Sequence, residues 1–348
     1  MNTSALASPV LEVEDAFEVN ELYQRNGWTD GLPIIPPTED RVARFVEAMG
    51  MEPSDTVGME PVRRRRITAE KVAIAGVMAG CLSSYMPVVA AAVRAMCNPV
   101  FGLHGCTAST GGSAPMLIVN GPIRKAIGMN ATHNVLANAS RANACIGRSI
   151  RLILLNVLGG VPGQLDRSTL GHPGKFTLCV AEDEEGSKWS PLAQERGIPA
   201  GISAVTVMAV QSPHQVMNEW THDPREILDT YAAAVRNNML TYSIWEGNYA
   251  IVVPQQHREI FHAAGWTRQS IREYMFERCR VQRKQWRDVG KAKVAGVRND
   301  EEKVYRALRS PDDLLIVAAG GPAGGFGAIF APWYGKKSLA VTVPVATP

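Results

Sequence analysis

A histidine, a thiol, three hydroxyls and three glycines, two of them paired, fall within nine residues of this sequence, in the run HGCTASTGG from His104 to Gly112. Small residues let backbone N–H groups approach an anion or a carbonyl oxygen, and the hydroxyls of Thr107, Ser109 and Thr110 add donors that turn to suit. Gly111 and Gly112 supply the conformational freedom of such a loop. Cys106 is the candidate nucleophile and His104 its candidate activator. The two alternate along the chain, and on an extended segment alternate residues share a face. Five further residues are candidates. Glu182 opens the acidic run EDEE just after an apolar segment, a usual place for an acid or base in α/β proteins, although runs of acids are generally solvated. Arg148, near the start of an apolar helix, offers a guanidinium to an anion, or is an ordinary surface arginine. Asp30 in the loop WTDGLPIIPP is expected to face outward. Asn120 and Asn143, at a strand end and a helix start, complete the candidate ligand contacts.

These residues need elements to hold them. A loose arm over residues 1–15 and a helix from about Val13 to Gly27 precede the Pro/Gly-rich loop, followed by a helix from about Thr38 to Met49. After the four arginines Arg63 to Arg66, Thr68 can cap a helix, and Val72 to Ala95 reads as two short buried helices broken at Ser83-Ser84-Tyr85. PMLIVNGP reads as a buried strand closed by a turn, NASRAN followed by CIGRSIRLILLNVLGG as a long helix ended by glycine, and residues 176–181 as a strand. From residue 201 strands and helices alternate, which predicts a largely parallel sheet. The expected class is α/β, a layered sheet flanked by helices, with an N-terminal helical and loop-rich region. The expected divisions are 1–66, 67–200 and 201–348, the last two either separate or one continuous domain.

Composition narrows the function. With 46% hydrophobic and 20% charged residues, the chain of 348 residues buries a sizeable core, and its net charge of +3 is mild. Arg63 to Arg66 suit a solvated face, an inter-subunit contact or an anionic substrate. The basic excess over residues 268–309, from Arg278 to Lys293, has few aromatics and reads as a solvated helix and connector. No nucleic-acid partner is expected from either. The apolar run around residues 72–95 is too interrupted for a membrane span, and the N-terminus lacks the pattern of a secretion signal, so a cytoplasmic setting is expected. The six cysteines show no zinc spacing, and the pairs His214/His222 and His257/His262 lack a third ligand, so no metal is expected. The cysteines other than Cys106 are expected to be reduced and inert. GGPAGGFG, Gly320 to Gly327, follows a strand but lacks the helix and second strand of a dinucleotide fingerprint. It is either a nest closing over a ligand or a close-packed turn. No cofactor can be named.

Three stretches, WTDGLPIIPPTEDRV, the run from VAIAGVMAGC through TASTGGSAPMLIVNGP, and DLLIVAAGGPAGG, together resemble an uncharacterised bacterial family that spans nearly the whole chain. Its members often occur beside small proteins with a UGSC-type cysteine or selenocysteine motif. The resemblance carries over no catalytic residue. It implies a bacterial, cytosolic metabolic enzyme or enzyme subunit, a homo- or hetero-oligomer, coupled to a thiol- or selenol-bearing partner protein. Three functions stay open for a small anionic or carbonyl-containing substrate: thiol-dependent reductive cleavage with such a partner, hydrolysis or lyase chemistry through hydroxyls and carboxylates, and non-catalytic ligand binding or partner stabilisation.

Overall fold

The computed structural model describes residues 6–137, 140–242, 246–296 and 300–346. Two residues of the NASRAN segment, 138 and 139, lie outside that set, as do residues 1–5 of the arm. The main helices in chain order are α1 (Ala16–Arg25), α2 (Glu39–Glu47), α3 (Ala69–Met78), α4 (Met86–Cys97), α5 (Leu103–Ala108), α6 (Arg141–Asn156), α7 (Pro224–Thr241), α8 (Gln255–Ala263) and α9 (Arg268–Arg278). The main strands are β1 (Thr56–Glu60), β2 (Arg65–Thr68), β3 (Ala114–Asn120), β4 (Cys179–Ala181), β5 (Ala204–Val210), β6 (His214–Met217), β7 (Tyr249–Val253), β8 (Leu314–Ala318), β9 (Phe326–Phe330) and β10 (Val341–Pro344). Local chemistry sets several boundaries. Asp15 caps α1 by accepting from Phe17 and Glu18, and Thr68 caps α3 by accepting from Lys71. The arm is not loose throughout, because the Ala7 and Ser8 amides donate to the Glu70 carboxylate at 3.0 and 2.8 Å.

The fold is α/β, built on two four-stranded sheets of the same plan. One has the order β10-β5-β3-β4 and the other β6-β9-β7-β8. In each, a central strand, β3 or β7, has a parallel neighbour on one side and two successive antiparallel neighbours on the other. The largely parallel sheet expected of the second half is therefore corrected to a mixed one. The helix-bearing connections β3 to β4 and β7 to β8 bring the chain back as a parallel neighbour, and the one from β6 to β7, through α7, gives a parallel strand that is not a neighbour; the short glycine link from β8 to β9 leads into an antiparallel placement. The division at residue 200 does not separate the sheets, since β5 and β10 complete the sheet begun by β3 and β4.

The pleat sorts side chains into layers. Leu117, Val119, Val205 and Val207 face a core shared with α2, α3, α4 and α6, whereas Met116, Ile118, Met208 and Val210 meet Ala250, Val252, Leu315 and Phe330 of the other sheet. The opposite face of that second sheet, through Ile251, Val253 and Ile316, packs on α7, α8 and α9. The result is four layers, helix, sheet, sheet, helix. Among the described residues no single helix is long and apolar enough to cross a membrane. The apolar run through α4 bends by 74° before α5, and α4 is buried along nearly its whole length. Ile118 is fully buried between the sheets. Ile118→Ala is expected to lower unfolding free energy by about 2–5 kcal/mol, read from the urea midpoint at unchanged m-value.

Candidate functional site

The His104 turn is helical. Leu103–Ala108 forms α5, so His104 and Cys106 are separated by about 200° around the axis and share no face. The expected pairing of the two is corrected on that ground. Cys106 is buried and burial pushes its thiol up to about 12, which holds it protonated at neutral pH. His104 is half-buried, with no hydrogen-bond partner at Nδ1. Thr107 spends its hydroxyl on the Leu103 and His104 carbonyls of its own helix, at 3.0 and 2.9 Å. Ser109 Oγ accepts from the Gly111 amide at 3.0 Å and from Trp333 Nε1 at 2.7 Å. Thr110 is exposed, and its carbonyl accepts from the Thr169 amide.

The paired glycines are explained by close packing. Gly112 has φ +71°, and a β-carbon there would lie 2.7 Å from the Gly171 α-carbon, so two backbones cross at van der Waals contact. A β-carbon on Gly111 would run into the Tyr242 hydroxyl. What crosses here is the 161–175 segment, and with it comes a charged cluster that sequence reasoning passed over. Asp166 is buried. Its Oδ2 accepts from Lys175 Nζ at 2.6 Å, and its Oδ1 accepts from Ser168 Oγ at 2.5 Å and the Ser168 amide at 3.1 Å. Lys175 Nζ also donates to Ser168 Oγ at 2.6 Å, and Arg151 stands 3.6 Å from the same carboxylate. Burial alone would raise the Asp166 pKa, but hydrogen bonds from Lys175 and Ser168 outweigh it and hold the carboxyl below its ordinary value. The only sequence signal was an Asp-x-Ser between glycine-bounded turns with a lysine following, too common a pattern to select.

Asp166, Lys175 and Arg151 line a cleft together with Cys106, Ser113 and Gly147. The cleft is narrow, with about 20 Å³ open to the centre of a water molecule, and the wider space of about 440 Å³ around it includes open solvent. It opens at the amino-terminal end of β3, between α5, α6 and the 161–175 segment. Of the sequence candidates, Cys106 and Thr107 reach it; Ser109, Thr110, Gly111 and Gly112 form the packed strap beside it.

The remaining candidates are structural. Arg148 grips Asp30 in two parallel bonds, Nε to Oδ2 at 2.9 Å and Nη2 to Oδ1 at 2.8 Å, and Nη2 donates further to the Pro33 carbonyl. Asp30 thus points inward, its side chain 3% exposed, and neither partner is free for a ligand. Asn143 is buried and clamps Asn130, accepting from its amide and donating to its carbonyl, both at 2.9 Å. Glu182 is buried and accepts from Arg268, Asn120 Nδ2, the Leu192 amide and the Ala318 amide. With both oxygens occupied by protein donors and the side chain buried, it has no access to a substrate, against its expected acid/base role. The acidic run is solvated only at Glu185, since Glu182 and Asp183 are buried and Glu184 is partly so. Arg258 pairs with Asp183, and Arg124 bonds the Glu182 carbonyl, Glu184 and Glu185. The Arg124 hydrogen bond lowers Glu185 to about 2.

Among the described residues no three histidine, cysteine or acidic side chains gather to hold a metal. Gly320–Gly325 is a packed turn. The Gly320 amide donates to Ala131 and the Gly325 amide to Glu219, and a β-carbon on Gly321 would press on His133 at 3.0 Å. The basic segment after α9 is likewise knit together, with Arg283 buried against Asp300 and the Val294 carbonyl. No family profile, no curated protein and no solved structure matches this chain.

Two outcomes are expected. Because Asp30 is held below its ordinary carboxyl value, with burial opposing and the Arg148 hydrogen bonds and charge prevailing, the pair stabilises the fold above the unfolded-state pKa, and that contribution fades as pH falls through the native value. Asp30→Asn is therefore expected to cost about 3 kcal/mol at pH 7, with the gap to the parent narrowing in urea titrations toward pH 3. Cys106 is expected to resist iodoacetamide in the folded protein at pH 8 and to label fully after denaturation, as read by peptide mass mapping.

Proposed function

We propose that this chain is a small-molecule enzyme, or the ligand-holding subunit of one, that takes an anionic or carbonyl-bearing compound into the cleft at Lys175, Asp166 and Arg151. The observation that carries the reading is the Lys175–Asp166–Ser168 cluster. Two of the three Lys175 donors go to Asp166 and Ser168, which leaves the third for a ligand oxygen. One carboxylate against two cations leaves the cleft net positive, which favours an anion. With two of its donors spent on Asp166 and Ser168, Lys175 is placed to polarise a carbonyl or to donate to a leaving oxygen through the third.

This favours the hydrolytic or lyase chemistry over thiol-dependent reductive cleavage, since the Cys106 thiol stays protonated. One observation supports the subunit version. Leu170, 95% exposed, and the half-exposed Phe176 stand on the segment that walls the cleft, apolar side chains of the kind a partner protein covers. The described free cysteines suit a reducing, cytoplasmic setting, consistent with the bacterial family resemblance.

Inorganic phosphate, acetate and pyruvate serve as probes. At about ten times Kd a bound probe is expected to add about 1.4 kcal/mol, or about 2 °C in melting temperature, and Lys175→Met is expected to abolish the rise. If none of these anions shifts the parent, or if the shift survives in Lys175→Met, the cleft is not the anion site.

A further inference from the structure

A second group of reactive side chains lies away from the cleft, on the other side of α6. Its first turn and the end of α3 meet there. Arg141 Nε donates to the Gly80 carbonyl at 2.9 Å, and Gly80, at φ +84°, turns the chain into Cys81. Cys145, one helical turn beyond Arg141, sits over that bend. Its Sγ is 3.5 Å from the position a β-carbon on Gly80 would occupy, one residue from Cys81. Burial raises the Cys81 thiol most, the neighbouring Cys145 and Cys179 raise it further, and Arg141 and Arg148 act in the opposite sense. Cys145 is only partly buried, whereas Cys81 and Cys179 are buried. An oxidant therefore reaches one thiol of the group first, and a second waits behind it.

We propose that Cys81 and Cys145 are a dithiol that closes to an intramolecular disulfide under peroxide, cross-linking the end of α3 to the first turns of α6. In the first step the Cys145 sulfur attacks one peroxide oxygen and the O–O bond breaks, giving a sulfenic acid and water. In the second the Cys81 sulfur attacks the Cys145 sulfur, the S–O bond breaks, and the hydroxyl leaves as water with the Cys81 proton. Two thiols are oxidised and one peroxide is reduced to two waters. Arg141 and Arg148 favour the attacking thiolate, but burial prevails and holds the Cys145 pKa above its ordinary value, so the reaction quickens as pH rises. The bond would fasten α6, the helix that carries Gly147 and Arg151 to the cleft, to its neighbour. The inference does not depend on what the cleft binds.

The test uses the unmodified chain. After hydrogen peroxide treatment at pH 8, remaining thiols are alkylated under denaturing conditions and the protein is digested without reductant. Two of the six cysteines are expected to escape alkylation, with the mass about 2 Da lower and a Cys81–Cys145 linked peptide recovered. Cys145→Ser is expected to leave Cys81 alkylatable under the same treatment. A Cys81–Cys179 link, or Cys145 carried on to sulfinic acid while Cys81 alkylates normally, overturns the proposal.

Discussion

Glu182 and Arg268 form an ion pair almost wholly removed from water, and the two sheets meet on it. Two charges in such a place cost several kcal/mol each to desolvate, so the pair persists only if the remaining lone pairs and protons find partners. Those of the carboxylate come from both halves of the fold, Asn120 from the end of β3, the Leu192 amide, and the Ala318 amide from the end of β8, while the Arg268 Nε proton is left without one. Beside it the Asp183 amide donates to the Ala318 carbonyl at 2.7 Å, and Arg258 ties Asp183 to the second helical layer. The carboxyl ends of the parallel strands, where α/β proteins commonly hold ligands, are here filled by protein. That leaves the opposite end of β3 as the place where a cleft opens.

Helix α6 is the wall common to every other feature. Asn143 at its start fixes the 130 loop, Arg148 holds Asp30 and with it the Pro/Gly-rich segment, and Arg151 reaches the Asp166 carboxylate. Gly147 between them admits no side chain, since a β-carbon would come within 2.8 Å of the Leu178 amide nitrogen. A helix committed on so many sides moves little, so the cleft's charged groups keep their places before any ligand arrives, and less ordering is left for binding to oppose.

Much of the fold was legible because local chemistry decides it. The Thr68 cap, the strand that ends at Asn120-Gly121-Pro122, the two small-residue helices on either side of Ser83-Ser84-Tyr85 and the strand before Gly320 all stand where their residues put them. Strand direction was not legible, because apolar runs such as those of β5 and β7 read alike whether the neighbour is parallel or antiparallel. The site misled for two reasons. His104 and Cys106 look paired only if the backbone is extended, and nothing in HGCTAS distinguishes that from one and a half helical turns. Glu182 to Glu185 look solvated because their arginine partners, Arg124, Arg258 and Arg268, are distant in sequence. Lys175 and Asp166, which carry the functional reading, gain meaning only through the bond between them.

The first sheet borrows its outer strand from far along the chain. Val341 of β10 lies beside Val207 of β5, while every strand of the second sheet lies between them in sequence. During synthesis, therefore, the second sheet can be complete while β5 still presents a bare row of amides and carbonyls, open to pairing with another chain. The order of emergence makes residues 341–344 a latch set last. A nascent or clipped chain lacking them would retain most of its apolar core yet carry an adhesive edge, so the hazard for this fold is mispairing between copies rather than simple unfolding.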